Sequence, residues 1–369
     1  MELYIYDLRM TLLGIVDEIA ALVWTRRYWD SGAFSLLLPM TARHGELLQI
    51  GRIVARRNCD EAAQIRYLNI KKDAQGLEQI EVQGQFLTHW IGKRLLLAPL
   101  SATMPTHELL ETIVRENVVA PTDEKRTIPG VEIGSMPGLV TETLSCFCPA
   151  YQNALEVCSD RAKLAKIGFK IATDTKTGKH IFQVYKGLDR TAGQSQNTVA
   201  IFSPDFDNVL SQEFTRSVEN VATAIFVGGA ESEGLERMVA EVSGGESGLE
   251  RIEYFDDSFD IDRYGTGEDS ETPIPEEEYL ELLRSRGRQV LDQKAEHVAF
   301  ASLIDTNASL RYRSDYDVGD RVTCINQRWK VQIESRITEI TESYESGRME
   351  LDITFGVSIP SIRDALKWR

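Results

Sequence analysis

The chain has few cysteines, five in 369 residues. The number is odd and there is one close pair, Cys146-Phe-Cys148. That excludes a disulfide framework and fits reduced thiols. Zinc sites need a second, suitably spaced pair, which Cys59, Cys158 and Cys324 do not provide, so no structural metal is expected. No run approaches the ~20 apolar residues that span a bilayer. Met1-Glu-Leu-Tyr-Ile-Tyr-Asp7 has no basic region ahead of an apolar one, so no signal peptide is expected and synthesis is placed in a cytoplasm. Positive charge is also scarce: 41 Lys+Arg stand against 57 Asp+Glu, a net charge of −16. Nucleic-acid binding needs clustered cations to displace counterions from phosphates, so that function class is set aside.

Enzyme signatures are missing as well. There is no phosphate loop, dinucleotide-binding glycine pattern, nucleophile elbow or His-Glu-x-x-His helix. His107-Glu108-Leu-Leu-Glu111 lacks the second His and reads as an ordinary helix start. The five His are scattered, and no spacing singles out a carboxylate pair for hydrolysis. No catalytic residue and no cofactor are assigned.

What is present is an uneven distribution of acid. Residues 231–278 hold 17 Asp+Glu and 3 Arg, a net −14, which leaves −2 for the rest of the chain. Within that window Asp256, Asp257, Asp260 and Asp262 form a weak calcium candidate. They offer oxygens, but the string lacks the central Gly and closing Glu of an EF-hand loop, and Phe259 and Ile261 alternate like a strand edge.

A second concentration is aromatic. Trp24-Thr-Arg26-Arg27-Tyr28-Trp29 leads through Asp30-Ser-Gly32 into Ala33-Phe-Ser-Leu-Leu-Leu-Pro39. Strand, turn, strand is the simplest reading, because Gly tolerates positive φ and the Asp and Ser side chains satisfy local backbone donors. The aromatics serve as hairpin core. Arg stacking on them within the hairpin is favoured over a sugar or phosphate site.

Along the chain, residues 1–104 alternate as short strands, including a hairpin of Gln64–Lys71 and Leu77–Gln83 around Asp73-Ala-Gln-Gly76. Thr106 starts a helix running to about Glu116, with Leu109, Leu110, Ile113 and Val114 on one face. A second helix is predicted over about 151–166, closed by Gly168 at C′, and two strands follow. Residues 220–229 read as a buried strand, and Pro275 with three glutamates starts a helix that ends near Gln293. Tyr316–Cys324, Trp329–Ile333, Arg336–Ile340 and Met349–Phe355 read as strands. The fold class is therefore α+β, mainly β.

Trp24-Thr-Arg-Arg-Tyr28 with Gly32-Ala-Phe-Ser-Leu36 resembles the N-terminal signature of siphophage and prophage tail hub proteins. The same holds for Phe202–Glu213 with Val227-Gly-Gly229, the helix 278–291, Tyr316-Asp-Val-Gly-Asp-Arg-Val322, and Ile337–Ile340 with Ile353–Gly356. The resemblance covers nearly the whole chain. It implies a non-enzymatic structural protein, similar to the contractile-phage baseplate hub, that forms a homotrimer of two small β-barrel tube-like domains per subunit. On that plan 1–104 plus 199–230 make the first barrel and 105–198 an α+β insertion. Residues 231–298 would be an acidic segment with a helix, and 299–369 the second barrel, completed by strands from 231–262.

The resemblance further implies a place at the tail tip or baseplate of a virion assembled in a bacterial cytoplasm. The partners would be the tail tube or distal tail ring and a spike, fibre or tape-measure protein. With no peptidase region in view, wall cleavage would fall to another protein. Arg26 and Arg27 are the expected assembly contact. The alternatives are a peptidoglycan hydrolase with its site in 105–198, or a carbohydrate-binding module using Trp24, Trp29 or Trp90.

Overall fold

The structure is a computed structural model that describes residues 1–356 except 58, 149, 232–235, 260, 265–272 and 346. The aromatic hairpin forms as read, with strands Ala21–Arg27 and Ala33–Pro39 antiparallel and Trp24 opposite Phe34. Its other side carries a partner more than 300 residues away. The strand Val331–Glu345 runs antiparallel to Ala21–Arg27, with Trp24 opposite Glu342 and Arg26 opposite Ile340.

This pairing fuses two lobes into one sheet of thirteen strands among the described residues. On one side of the seam the order runs through Ala33–Pro39, Glu78–Phe86, Ala63–Lys72, Ile53–Arg56 and Leu3–Tyr6 to Leu12–Val16. On the other it runs from Val331–Glu345 through Arg348–Gly356 and His297–Ile304 to Val209–Ser217, with Arg321–Asn326 and Ile201–Phe202 branching off. The ladder is open: Leu12–Val16 and Val209–Ser217 each have one partner strand among the described residues. The expected pair of separately closed barrels is thus replaced by one open sheet with two cores. The physical reason is the length of Val331–Glu345. Its fifteen residues pair with Arg321–Asn326 over the first half, and with Arg348–Gly356 and Ala21–Arg27 over the second.

Each lobe buries its own apolar face. Leu3, Ile5, Trp24, Phe34, Leu36 and Phe86 pack in the N-terminal lobe. Tyr28, Phe202, Phe300, Tyr316, Ile353 and Phe355 pack in the other. Full burial of side chains this large contributes roughly 1.5–3 kcal/mol each before entropy is counted. Trp24 packs in the N-terminal core and Tyr28, just past the end of the same strand, in the other, so the hairpin ties the lobes together by packing as well as by hydrogen bonds.

The grouping of later segments differs from the expectation. Ile201–Phe202 and Val209–Ser217 join the C-terminal lobe, not the N-terminal one. Strands Val239–Ser243 and Glu253–Ser258 do not complete that lobe. They flank Ala224–Gly229 in a separate three-stranded sheet. Helix Glu276–Gln293 covers this sheet through Tyr279, Leu283 and Val290. The acidic window is thus a small module with its own core.

The insertion holds helix Thr106–Val114, helix Ala154–Leu164 and the pair Gly168–Asp174 and Lys179–Tyr185, with Val131–Ile133 parallel to the latter. Asn153 caps the second helix, accepting from the Leu155 and Glu156 amides. The left-handed residue at its end is Lys166, at φ 55°, not Gly168. Gly168 has another use: a Cβ there would stand 2.3 Å from the Tyr28 ring.

Candidate functional site

The charged residues of the aromatic hairpin converge on the seam between the lobes. Arg26 is 6% exposed, because strand alternation turns it inward where the two halves of the sheet meet. Its Nε donates to Glu61 Oε2 at 2.7 Å, and its Nη1 donates to Asp317 Oδ1 at 2.5 Å and to the Tyr312 hydroxyl at 3.1 Å. Glu342, 1% exposed, takes the mirror role. It accepts from Arg56 Nη2 at 2.8 Å, Arg313 Nη2 at 3.0 Å and the Tyr344 hydroxyl at 2.7 Å. The Arg56 guanidinium lies 5.2 Å from the ring centres of both Trp24 and Tyr344.

The electrostatics follow from this pairing. Burial works against the charge on Arg26, but Glu61, Tyr312 and Asp317 hold its pKa well above the ordinary value. Burial would raise the Glu342 carboxyl, yet Arg56 and its hydrogen bond bring it below the usual range. Burial pushes the Tyr344 hydroxyl up to about 12. Beside the network lies a cleft of about 570 Å³ bordered by Tyr4, Arg57, Cys59, Lys170 and Asp317. It brings together the N-terminal lobe, the insertion and the C-terminal lobe. Lys170 pairs with Asp60 across it. Burial also raises the Cys59 thiol, which keeps it protonated and a poor nucleophile. The arrangement suits clamping three segments rather than moving protons.

Tyr28 completes the clamp. Fully buried, it donates to the Lys166 and Tyr185 carbonyls at 3.3 and 3.4 Å and meets the Tyr185 ring edge-on at 5.3 Å. The Arg336 guanidinium lies 5.3 Å from its ring centre. Gly319 passes on the C-terminal side at φ 96°, where a Cβ would stand 2.4 Å from the ring.

The expected assembly contact therefore divides. Arg26 is enclosed within the chain and cannot face another subunit. Arg27 is 37% exposed in its side chain and pairs with Glu339 at 2.7 Å across the seam. Two members of the acidic quartet are engaged in ion pairs. Asp256 pairs with Arg286 and Asp257 with Arg237, while Asp260 lies outside the described residues. Among the described residues no group of three His, Cys, Asp or Glu side chains is placed to hold a metal ion. Trp24 and Trp90, at 0% and 4% exposed, are core residues, which removes them as a sugar-stacking platform. Glu61, Arg56, Asp317 and Glu342 were not singled out from sequence. One signal existed: Glu342 occupies an inward position between Ile340 and Tyr344 in an alternating strand.

The family model described as Siphovirus ReqiPepy6 Gp37-like protein matches residues 2–357. The fold is similar to the 43 kDa tail protein of prophage MuSo2 from Shewanella oneidensis, with TM-score 0.60 and 14% identity, covering 96% of this chain and 98% of that one. It is similar to the tail protein from Neisseria meningitidis MC58, with TM-score 0.57 and 10% identity over 96% of each chain. Prophage tail protein gp18 from Listeria monocytogenes EGD-e aligns with TM-score 0.56 and 11% identity over 100% of this chain and 98% of that one. At these identities the likeness is one of fold. No curated protein sequence matches the chain.

Proposed function

Since the chain belongs to the siphovirus ReqiPepy6 Gp37-like family of phage tail proteins, we propose that it is a non-enzymatic hub at the tail tip or baseplate. There it joins the tail tube to the host-recognition or puncturing apparatus. The observation that carries the reading is end-to-end likeness: tail proteins, two of them from prophages, cover 96–100% of the chain, insertion and acidic module included. In this reading the hub is a homotrimer, and each lobe supplies one tube-like module. Three subunits then present six modules to the tube or to a distal tail ring. On the other side they meet a spike, fibre or tape-measure protein.

The open sheet supports association. Leu12–Val16 and Val209–Ser217 each have a second edge with no partner strand among the described residues, and Leu12 and Leu210 expose apolar side chains there. Such edges invite pairing, and a closed ring of copies satisfies them without open-ended growth. Arg27 and Glu339 stand half-exposed on the seam as a polar contact for a neighbour. The concentration of acid in one module keeps the assembly from adhering to DNA in transit.

Light scattering of the full chain, alone and with isolated tail tubes, is the test. A mass three times 41.6 kDa, alone or on tube ends, is expected. A stable monomer that never joins a tube end would contradict it. Incubation with purified peptidoglycan is expected to release no soluble fragments, and release would overturn the non-enzymatic assignment.

A further inference from the structure

A second cleft, of about 540 Å³, lies where the strand Ala63–Lys72 and the turn Leu87–Lys93 face helix Ala154–Leu164. Cations border it from both sides. Arg66 and Lys93 border it from the sheet and the turn, with His89 beneath them. Neither cation has a carboxylate partner among the described residues. Arg66 donates to Gln85 Oε1 at 2.6 Å, and Lys93 to Gln64 Oε1 at 3.2 Å. Facing them are Asp30 from the hairpin turn and Glu156 and Asp160 from the helix, with Lys163 of the same helix 3.9 Å from Asp160.

The energetics of the cationic side are unfavourable as they stand. Burial lowers the Lys93 pKa, and Arg66 and Arg94 lower it further, with no acid acting the other way. Two or three like charges gathered with no carboxylate in ion-pair contact repel one another, and in a chain of net charge −16 that crowding is not forced by composition. An oxyanion between them would reverse the sign of the interaction.

His89 is the independent observation. It is 5% exposed, and its Nδ1 stands 2.8 Å from the Phe86 carbonyl oxygen. A carbonyl oxygen only accepts, so Nδ1 carries the proton and Nε2 is a bare acceptor. That Nε2 is buried with no hydrogen-bond partner. Burial holds the ring neutral, with its pKa pushed down to about 4. A buried acceptor without a donor is destabilising, which a ligand hydroxyl would offset.

We propose that this cleft binds a short acidic saccharide. Its carboxylate or phosphate sits between Arg66 and Lys93, and its hydroxyls donate to His89 and to the acids on the helix side. The size lies within the range of small-molecule sites. The facing carboxylates repel a polyanion, so a nucleic-acid strand is disfavoured. The acceptors are spread over the turn, the hairpin and the helix, and so match several hydroxyls better than the single ammonium of a peptide.

Ligand-observed NMR on the full-length protein tests the proposal, with glucuronate and glucose 6-phosphate as probes. Glucose, inorganic phosphate and dialanine separate the contributions of hydroxyls, oxyanion and ammonium. Both acidic sugars are expected to bind at least about tenfold more tightly than either glucose or phosphate, and Arg66→Gln with Lys93→Gln to remove about tenfold of that affinity. Both substitutions lie on exposed side chains, and an unchanged melting curve verifies the fold. No saturable binding of either acidic sugar, equal binding by the double variant, or tighter binding of dialanine or single-stranded DNA would overturn it.

Discussion

Arg26 and Arg66 lie in the same lobe and meet opposite circumstances. Arg26 is enclosed, and its guanidinium is answered by Glu61, Asp317 and Tyr312. Arg66 is at the surface, near Lys93, with an amide oxygen as its acceptor. The first arrangement is self-sufficient: every charge has a partner within the chain, and breaking one leaves another stranded in low dielectric. The second has no carboxylate in direct contact with its cations, which leaves them open to a ligand. Pairing, more than the density of positive charge, separates a structural cluster from a binding one.

The strongest way to break the comparison is at the seam. Glu342→Ala removes the acceptor shared by Arg56, Arg313 and Tyr344. A loss of roughly 3–5 kcal/mol is expected, since an uncompensated buried charge remains. Chemical denaturation with matched slopes reads it out. Arg26→Met with Glu61→Leu removes both members of a pair at similar volume and is expected to retain most of the stability, because Asp317 keeps solvent contact.

The backbone around Tyr28 gives the next largest effect. Gly319→Ala places a methyl against the ring at a positive φ, and about 1–3 kcal/mol of destabilisation is expected by the same assay. Acid should then dissolve the clamp. The Glu342 pKa is depressed in the folded state, so its contribution is fully present above the unfolded value near 4.5 and is lost as pH falls through that value toward the folded one. Stability measured from pH 6 down to 3 is expected to fall less steeply in Glu342→Gln than in the parent. A parallel fall would show that this carboxylate does not carry the acid sensitivity. The smallest effect is expected in the open cleft: Arg66→Gln with Lys93→Gln changes stability by no more than about 0.5 kcal/mol, while acidic-saccharide binding weakens about tenfold. A large destabilisation there would make the two cation clusters alike and remove the distinction.

Local chemistry was legible in the sequence. Alternation located the hairpins of the N-terminal lobe. Pro275 with Glu276, Glu277 and Glu278 located helix Glu276–Gln293, and the apolar face from Leu109 to Val114 located helix Thr106–Val114. What alternation cannot supply is the partner of a strand. Nothing near Ala21–Arg27 indicates that it pairs with 339–345, because both strands are β-like whatever they lie beside. Grouping residues 199–230 with the first lobe failed for this reason. The Gly168 assignment failed differently: the residue fits a helix C-cap by type, but its lack of a side chain answers Tyr28, a contact from 140 residues earlier. Residues 316–320 were read as strand, yet they form the turn that brings Asp317 to Arg26. The buried network was hidden because charged residues are ordinarily assigned to the surface. Only an acid in the inward phase of an alternating strand, as at Glu342, betrays it.

The central claim is that three copies of this chain sit at one end of a phage tail. Electron cryo-microscopy of intact tails, with the chain carrying an added epitope and decorated by a bound antibody fragment, measures this directly. The account predicts antibody density at the tail tip only, in three copies around the axis. Density along the whole tube, or a tip that lacks the chain altogether, would contradict it.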